Sequence, residues 1–149
     1  MAIDAGDDER EEATHEYLKI KGSFIYEREI IPEYYWFSGM KDRYIVGDVI
    51  DPETPTIINE IAGEISDPNA KIMPFKVHRA NQVYDSVYNH LIQPKTVGEG
   101  GYWEDFDWDQ AARLGMETVG LEYSGSVDFT QTDMYWTLSH MVQPKENAL

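Results

Sequence analysis

Proline punctuation constrains this chain more than any other feature. Seven prolines, Pro32, Pro52, Pro55, Pro68, Pro74, Pro94 and Pro144, interrupt 149 residues. Because proline fixes φ and donates no backbone hydrogen bond, long regular elements have little room. Pro32 restricts any strand beside it to a sheet edge, and Asp51-Pro52 with Thr54-Pro55 breaks the chain after a short strand over 43–50. Thr56 to Ile61 and Lys71 to Val77 are β-prone, and Ser66-Asp67-Pro68-Asn69 between them is turn chemistry, which predicts a hairpin. Val83, Val87 and Leu91 recur at four-residue spacing, with Tyr84 and Tyr88 beside them; this predicts a helix over 81–92 stopped by Pro94. The segment 96–101, rich in glycine, is a loop. Asp107 is an N-cap for a helix over 108–119 with Gly120 past its end. After a loop at 125–128, Thr130 or Thr132 can cap a last helix over 133–141. The fold class expected is mainly irregular with short α-helices and a few short β-strands, an α+β fold of low regular content, with roughly half the chain irregular against the ~40% usual for a globular domain.

The apolar content is concentrated. Phe24, Tyr26, Tyr34, Tyr35, Trp36, Phe37 and Tyr44 fall within one short stretch. Rings at that density in irregular backbone are expected to be buried against something, either a partner or further parts of a larger protein. By contrast, the first 16 residues hold seven acids against one base and little apolar surface. Residues 1–21 therefore read as an acidic flexible tail or linker, and 22–149 as a single domain or segment.

Charge and cysteine content remove whole classes of function. Twelve Lys and Arg against 28 Asp and Glu give a formal charge of −16, which repels nucleic-acid phosphates and anionic lipid headgroups. The basic residues are scattered, and Lys76 with Arg79 is their densest spot. Nucleic acid is not an expected partner. No run of about 18 apolar residues offers a membrane helix, and the acidic amino terminus has no secretory h-region, so membrane insertion is not expected either. The absence of cysteine excludes a disulfide, a thiolate metal site, a thiol nucleophile and a covalently attached c-type haem on this chain.

The remaining chemistry rests on carboxylates, glycines and histidines. Glu104, Asp105, Asp107 and Asp109 resemble the start of a calcium loop. However, Gln110 stands where the turn glycine is required and Met116 where a bidentate Glu is needed, so helix-capping acids are the simpler reading. Gly98-Glu99-Gly100-Gly101 lacks both the GK[ST] ending and the dinucleotide spacing of phosphate loops. His15 lies in the acidic tail, and His90 lies in the expected middle helix. His78 ends an apolar strand in FKVHR, and His140 sits in the aromatic segment LSHMV. From spacing alone each is an ordinary core or surface histidine, and no two have the close spacing of a zinc site.

Several long strings in order carry a family resemblance. IIPEYYWFSG (30–39), RYIVGDVIDP (43–52), DPNAKIMPFKVHRA (67–80), PKTVGEGGYWEDFDWDQAARLGMETVGLEYSG (94–125) and TDMYWTLSHMVQPKENAL (132–149) resemble one region of the tetrathionate-reductase family of octahaem c-type cytochromes. The resemblance runs collinearly from about Gly22 to Leu149. It implies that 22–149 is the haem-free stretch between CxxCH attachment motifs, here a fragment, a split-gene product or a separate subunit that packs on a multihaem core. It implies haem c as cofactor, carried by the rest of the protein or a partner chain, with none bound covalently here. His78 and His140 fall at histidines of the family strings, which implies that both are distal ligands to haem iron. The implied partner is a haem-bearing cytochrome chain or domain, and the complete protein acts on a small sulfur or nitrogen oxyanion. The location implied is periplasmic or otherwise extracytoplasmic. The family's catalytic residues have no counterpart here, so any oxidoreductase activity belongs to the complete protein. Two other readings stand beside this one: an acidic protein-binding module with no redox role, and a hydrolase using Glu104 or Asp105 as base.

Overall fold

The computed structural model describes residues 30–138, together with the backbone of two short strands before them. The chain divides into a unit over 1–31 and a unit over 32–149. In the first, β1 (Tyr17–Leu18) pairs antiparallel with β2 (Gly22–Ser23).

The second unit is organised by two long strands. β7 (Lys71–Asp85) and β9 (Val127–Thr137) run antiparallel in unbroken register from Phe75 opposite Thr137 to Asp85 opposite Val127. β3 (Glu33–Phe37) flanks β7 on its other side, and β5 (Thr56–Ile57) runs parallel to β9, giving the order β3-β7-β9-β5. β8 (His90–Leu91) folds back onto the end of β7. β4 (Gly39–Arg43) and β6 (Asn59–Ala62) form a separate two-stranded sheet. The helices are α1 (Tyr102–Asp105) and α2 (Trp108–Val119). Strands, irregular chain and, among the described residues, two short helices match the expected class, with β7 and β9 longer than the short strands expected.

Pro32 does stand before an edge strand, as proline chemistry requires. Pro74 is inside β7 and is tolerated for a local reason. Its carbonyl accepts from Leu138 N at 3.5 Å, so its ring nitrogen points to the β9 side, where the ladder ends at Phe75. The missing donor falls where pairing stops. The capped helix also forms as read: the Asp107 carboxylate accepts from Gln110 N at 3.1 Å, and Gly120 closes α2 with φ 72°.

Other elements differ from expectation. The helix over 81–92 is instead the end of β7, a turn and β8. Val83, Tyr84 and Asp85 are buried in succession because both faces of the strand are covered there, and this run imitates helical spacing. Asp85 then accepts from Val87 N and Tyr88 N, which turns the chain, and Asn89 completes the turn with φ 53°. The helix over 133–141 is β9 as far as Thr137; residues 139–141 lie outside the described set. Thr130, Thr132, Tyr135 and Trp136 favour strand, and the ladder with β7 outweighs helical spacing. The expected hairpin does not pair with itself, since β6 joins β4 while β7 joins β3 and β9. The strand expected over 43–50 stops at Arg43, where Asp48 accepts from Ile45 N at 2.8 Å and closes a turn.

Two cores sit back to back at one end of β7. On one face Val83 packs with Ile92, Ala112 and Met116, and Trp108, Leu121, Tyr123 and Val127 close around them. On the other, Tyr84 packs with Ile50 and Leu91 under Tyr44 and Ile58. At the far end of the Val83 face a third cluster forms around Phe75, which Tyr35, Phe37 and Tyr135 meet edge-on with centroids 5.3–6.2 Å apart. The far end of the Tyr84 face has no such cover among the described residues.

Candidate functional site

Alternation along a strand assigns the side chains to faces. Ile72, Pro74, Lys76 and His78 of β7 share the Tyr84 face; across the ladders they stand beside Trp36, Tyr34, Trp136 and Met134 respectively. At this end the apolar groups are open to solvent, with Tyr34 64% exposed, Ile72 58% and Trp136 44%. An exposed aromatic and aliphatic patch on a rigid sheet is a contact surface by default, because water solvates it poorly. Beside it, Tyr34, Trp36, Ile61 and Ile65 bound an open groove of about 510 Å³. That groove exists because Gly63 (φ 134°) passes so close to β3 that a Cβ there would lie 2.7 Å from Trp36 O.

His78 lies within this patch. Its ring stands 5.8 Å from the Trp136 ring at a 42° tilt, and its nitrogens have no hydrogen-bond partner among the described residues. Partial desolvation, with the Lys76 charge in the same direction, lowers its pKa below the usual imidazole value. Both effects favour the neutral ring, which is the form that ligates a metal. His140 and His15 lie outside the described residues. His90 is buried in β8 opposite Asp85 and 5.8 Å from the Tyr88 ring, and its Nε2 has no hydrogen-bond partner among the described residues. The described residues contain no cluster of three metal-ligating side chains.

The acidic segment is occupied structurally. Asp107 caps α2, and Asp109 accepts from Arg113 and from Tyr123 Oη. Arg113 first, and the Tyr123 hydroxyl after it, hold the Asp109 carboxyl below its usual range, while burial and Asp109 together push Tyr123 up to about 12. In the glycine loop the Lys95 ammonium is engaged by Glu99 O at 2.6 Å, leaving no anion cradle there. Neither segment assembles a base with a substrate site.

Sequence reasoning missed how strand alternation divides the densest basic spot. Lys76 stands on the His78 face, while Arg79 points to the opposite one. There Glu33 receives both guanidinium hydrogen bonds, at 2.7 and 3.0 Å, and Asp133 lies 3.8 Å away. Arg79, then the Tyr35 hydroxyl, holds Glu33 down to about 2. The period-2 pattern Ile72, Pro74, Lys76, His78 was the signal that separates these residues.

Residues 4–149 match the model of the bacterial cytochrome c family. The chain belongs to that family. This cytochrome c chain is also similar to the crystal structure of octaheme cytochrome c from Shewanella oneidensis, with 47% identity and a TM-score of 0.78 over 89% of this chain and 32% of that one. It thus spans about a third of the length of that structure. No curated protein matches it. None of its described helices is long and apolar enough to cross a membrane.

One expectation is corrected by these matches. Haem c carried by the rest of the protein or by a partner chain does not stand, because the family match and the octaheme relative make haem c the cofactor of the family without assigning it to another chain. What the lack of cysteine excludes is thioether attachment to these 149 residues. Among the described residues, His78 is exposed and without a hydrogen-bond partner, which is compatible with an imidazole offered to a haem.

Proposed function

We propose that the chain is a haem-free segment of a multihaem cytochrome of the tetrathionate-reductase kind, and that it serves electron transfer by presenting distal imidazoles and an aromatic strand face to a multihaem core. The observation that carries this reading is His78: an exposed imidazole beside Trp136, with no hydrogen-bond partner among the described residues, on the sheet face that also carries Tyr34 and Ile72. A haem placed there would supply the electron-carrying iron. The chain's own residues would supply an imidazole to it, hold that imidazole on a rigid ladder and exclude water from the haem edge. His140 is proposed as a second distal ligand on the family resemblance. The partner proposed is a multihaem cytochrome chain or domain, and the complete protein's substrate a small sulfur or nitrogen oxyanion. Residues 1–21 would act as an acidic linker ahead of the segment 22–149, in an extracytoplasmic setting.

The test is His78→Ala in the assembled cytochrome, read by electron paramagnetic resonance and visible spectroscopy. The expected result is loss of one low-spin haem signal and gain of a high-spin one, and His140→Ala should do the same at a different haem. Low-spin spectra unchanged in both variants would remove the ligand role and leave an acidic protein-binding module as the better reading. His78 is exposed, so the folded chain is expected to tolerate its loss.

A further inference from the structure

The His78 face carries a charge that no described residue pairs. The net charge is −16, and among the described residues the side chains of Lys41, Arg79 and Arg113 sit in ion pairs. Lys76 has no ion-pair partner among the described residues, although it projects from the middle of the sheet. It is two residues from His78 on the same face, roughly 7 Å along the strand, and directly opposite Trp136. On that face of β3, β7 and β9 the one carboxylate is Asp128, far away opposite Tyr84. The open end of these three strands is thus apolar with one ammonium, and Glu64 lines the groove beside it. A lone ammonium at the edge of an apolar contact surface is costly to cover unless the covering group brings an anion.

We infer that Lys76 is the anion contact of this surface and that it pairs with a propionate of the haem whose iron His78 meets. This rests on the proposed role of His78. The geometry suits one flat ligand with three properties: an iron to take the imidazole, an apolar ring to lie against Trp136, and a carboxylate at the rim within reach of a flexible lysine stem. A carboxylate side chain from the docked protein has the same chemistry and is the source to be distinguished.

The experiment compares Lys76→Met and Lys76→Arg with the unaltered protein in the assembled cytochrome. Three readouts are taken: the low-spin haem count, the midpoint potential of the His78-dependent haem, and the propionate bending bands in resonance Raman difference spectra. Removing a positive charge beside a haem stabilises the ferric state. Lys76→Met should therefore lower that one potential and shift its propionate band, with the low-spin count unchanged, and Lys76→Arg should restore both. A lowered potential with unmoved propionate bands would overturn the propionate assignment in favour of a protein carboxylate. Unchanged potential and bands would overturn the inference altogether. The His78→Ala spectrum separates these failures: if that variant keeps every low-spin haem, the ligand reading itself has failed.

Discussion

Asp85 should be the most sensitive side chain in the molecule, and its loss can be estimated from its contacts. The carboxylate is fully buried at the point where β7 turns into β8. It accepts from Val87 N at 2.9 Å, Tyr88 N at 3.0 Å, Ser124 N at 2.7 Å and Ser124 Oγ at 2.8 Å. Burial pushes its pKa up, but the Ser124 and Tyr88 amides and the Ser124 hydroxyl outweigh that and hold the value below 3.8. In Asp85→Ala three backbone N–H groups lose their acceptor, at about 1–3 kcal/mol each when water cannot replace it. Because two of them lie in a turn that can admit water, the expected loss is about 3–5 kcal/mol, at the upper end for a single substitution. Asp85→Asn keeps one oxygen for Val87 and Tyr88 but turns an amide N–H toward Ser124 N, for an expected loss of about 2 kcal/mol. Urea unfolding of the full chain at pH 7 measures both. The folded pKa lies below the unfolded one, so the carboxylate's stabilisation is fully present above the unfolded value and is lost as pH falls through the folded value. The acid-side decline should accordingly shrink in Asp85→Asn. A loss under about 1 kcal/mol for Asp85→Ala, or an unaltered acid limb in Asp85→Asn, would refute the claim that this carboxylate locks the turn.

Gly115→Ala places a methyl 1.7 Å from Gln93 O. The small helix-propensity gain of Ala is therefore outweighed, and thermal unfolding should show a loss of about 1–3 kcal/mol. Asn59 both donates to Tyr135 O and accepts from Tyr135 N, each at 2.7 Å, standing in for a strand residue beside β9. Asn59→Ala should cost about 2 kcal/mol in the same assay, and faster amide exchange at Tyr135 should accompany it.

Elements set by local chemistry were legible in the sequence: the Asp107 cap and Gly120 stop of α2, the edge position forced by Pro32, and the glycine loop. Elements set by pairing partners were not. Val83, Val87 and Leu91 look helical because burial on both faces at Val83 to Asp85 hides the two-residue period. Asp85, which decides the turn, bonds to Ser124 39 residues away. Thr130 to Thr137 becomes strand because Lys76 to Gln82 lies opposite. For the site, the family strings pointed to His78, and nothing local did. Its setting beside Trp136 and Lys76 depends on the β7–β9 register, which one sequence does not reveal.

Stability and proposed function occupy opposite ends of the same strand. At the Asp85 end both faces of β7 are covered, Val83 by α2 and Tyr84 by the segment carrying Tyr44 and Ile50. Seven residues away, about 23 Å along the strand, His78 lies on a face that the described residues leave open although it holds Tyr34, Ile72 and Trp136. A solvent-facing strand normally alternates polar residues outward. Here the outward positions carry aromatics, aliphatics, one imidazole and one lysine with no ion-pair partner among the described residues. The covered end gives the ladder the rigidity to hold an imidazole at a fixed angle, while the open end accepts the occupant. Substitutions at Asp85 should therefore change unfolding with His78 still in place, and those at His78 and Lys76 should change the haem signals while the fold persists.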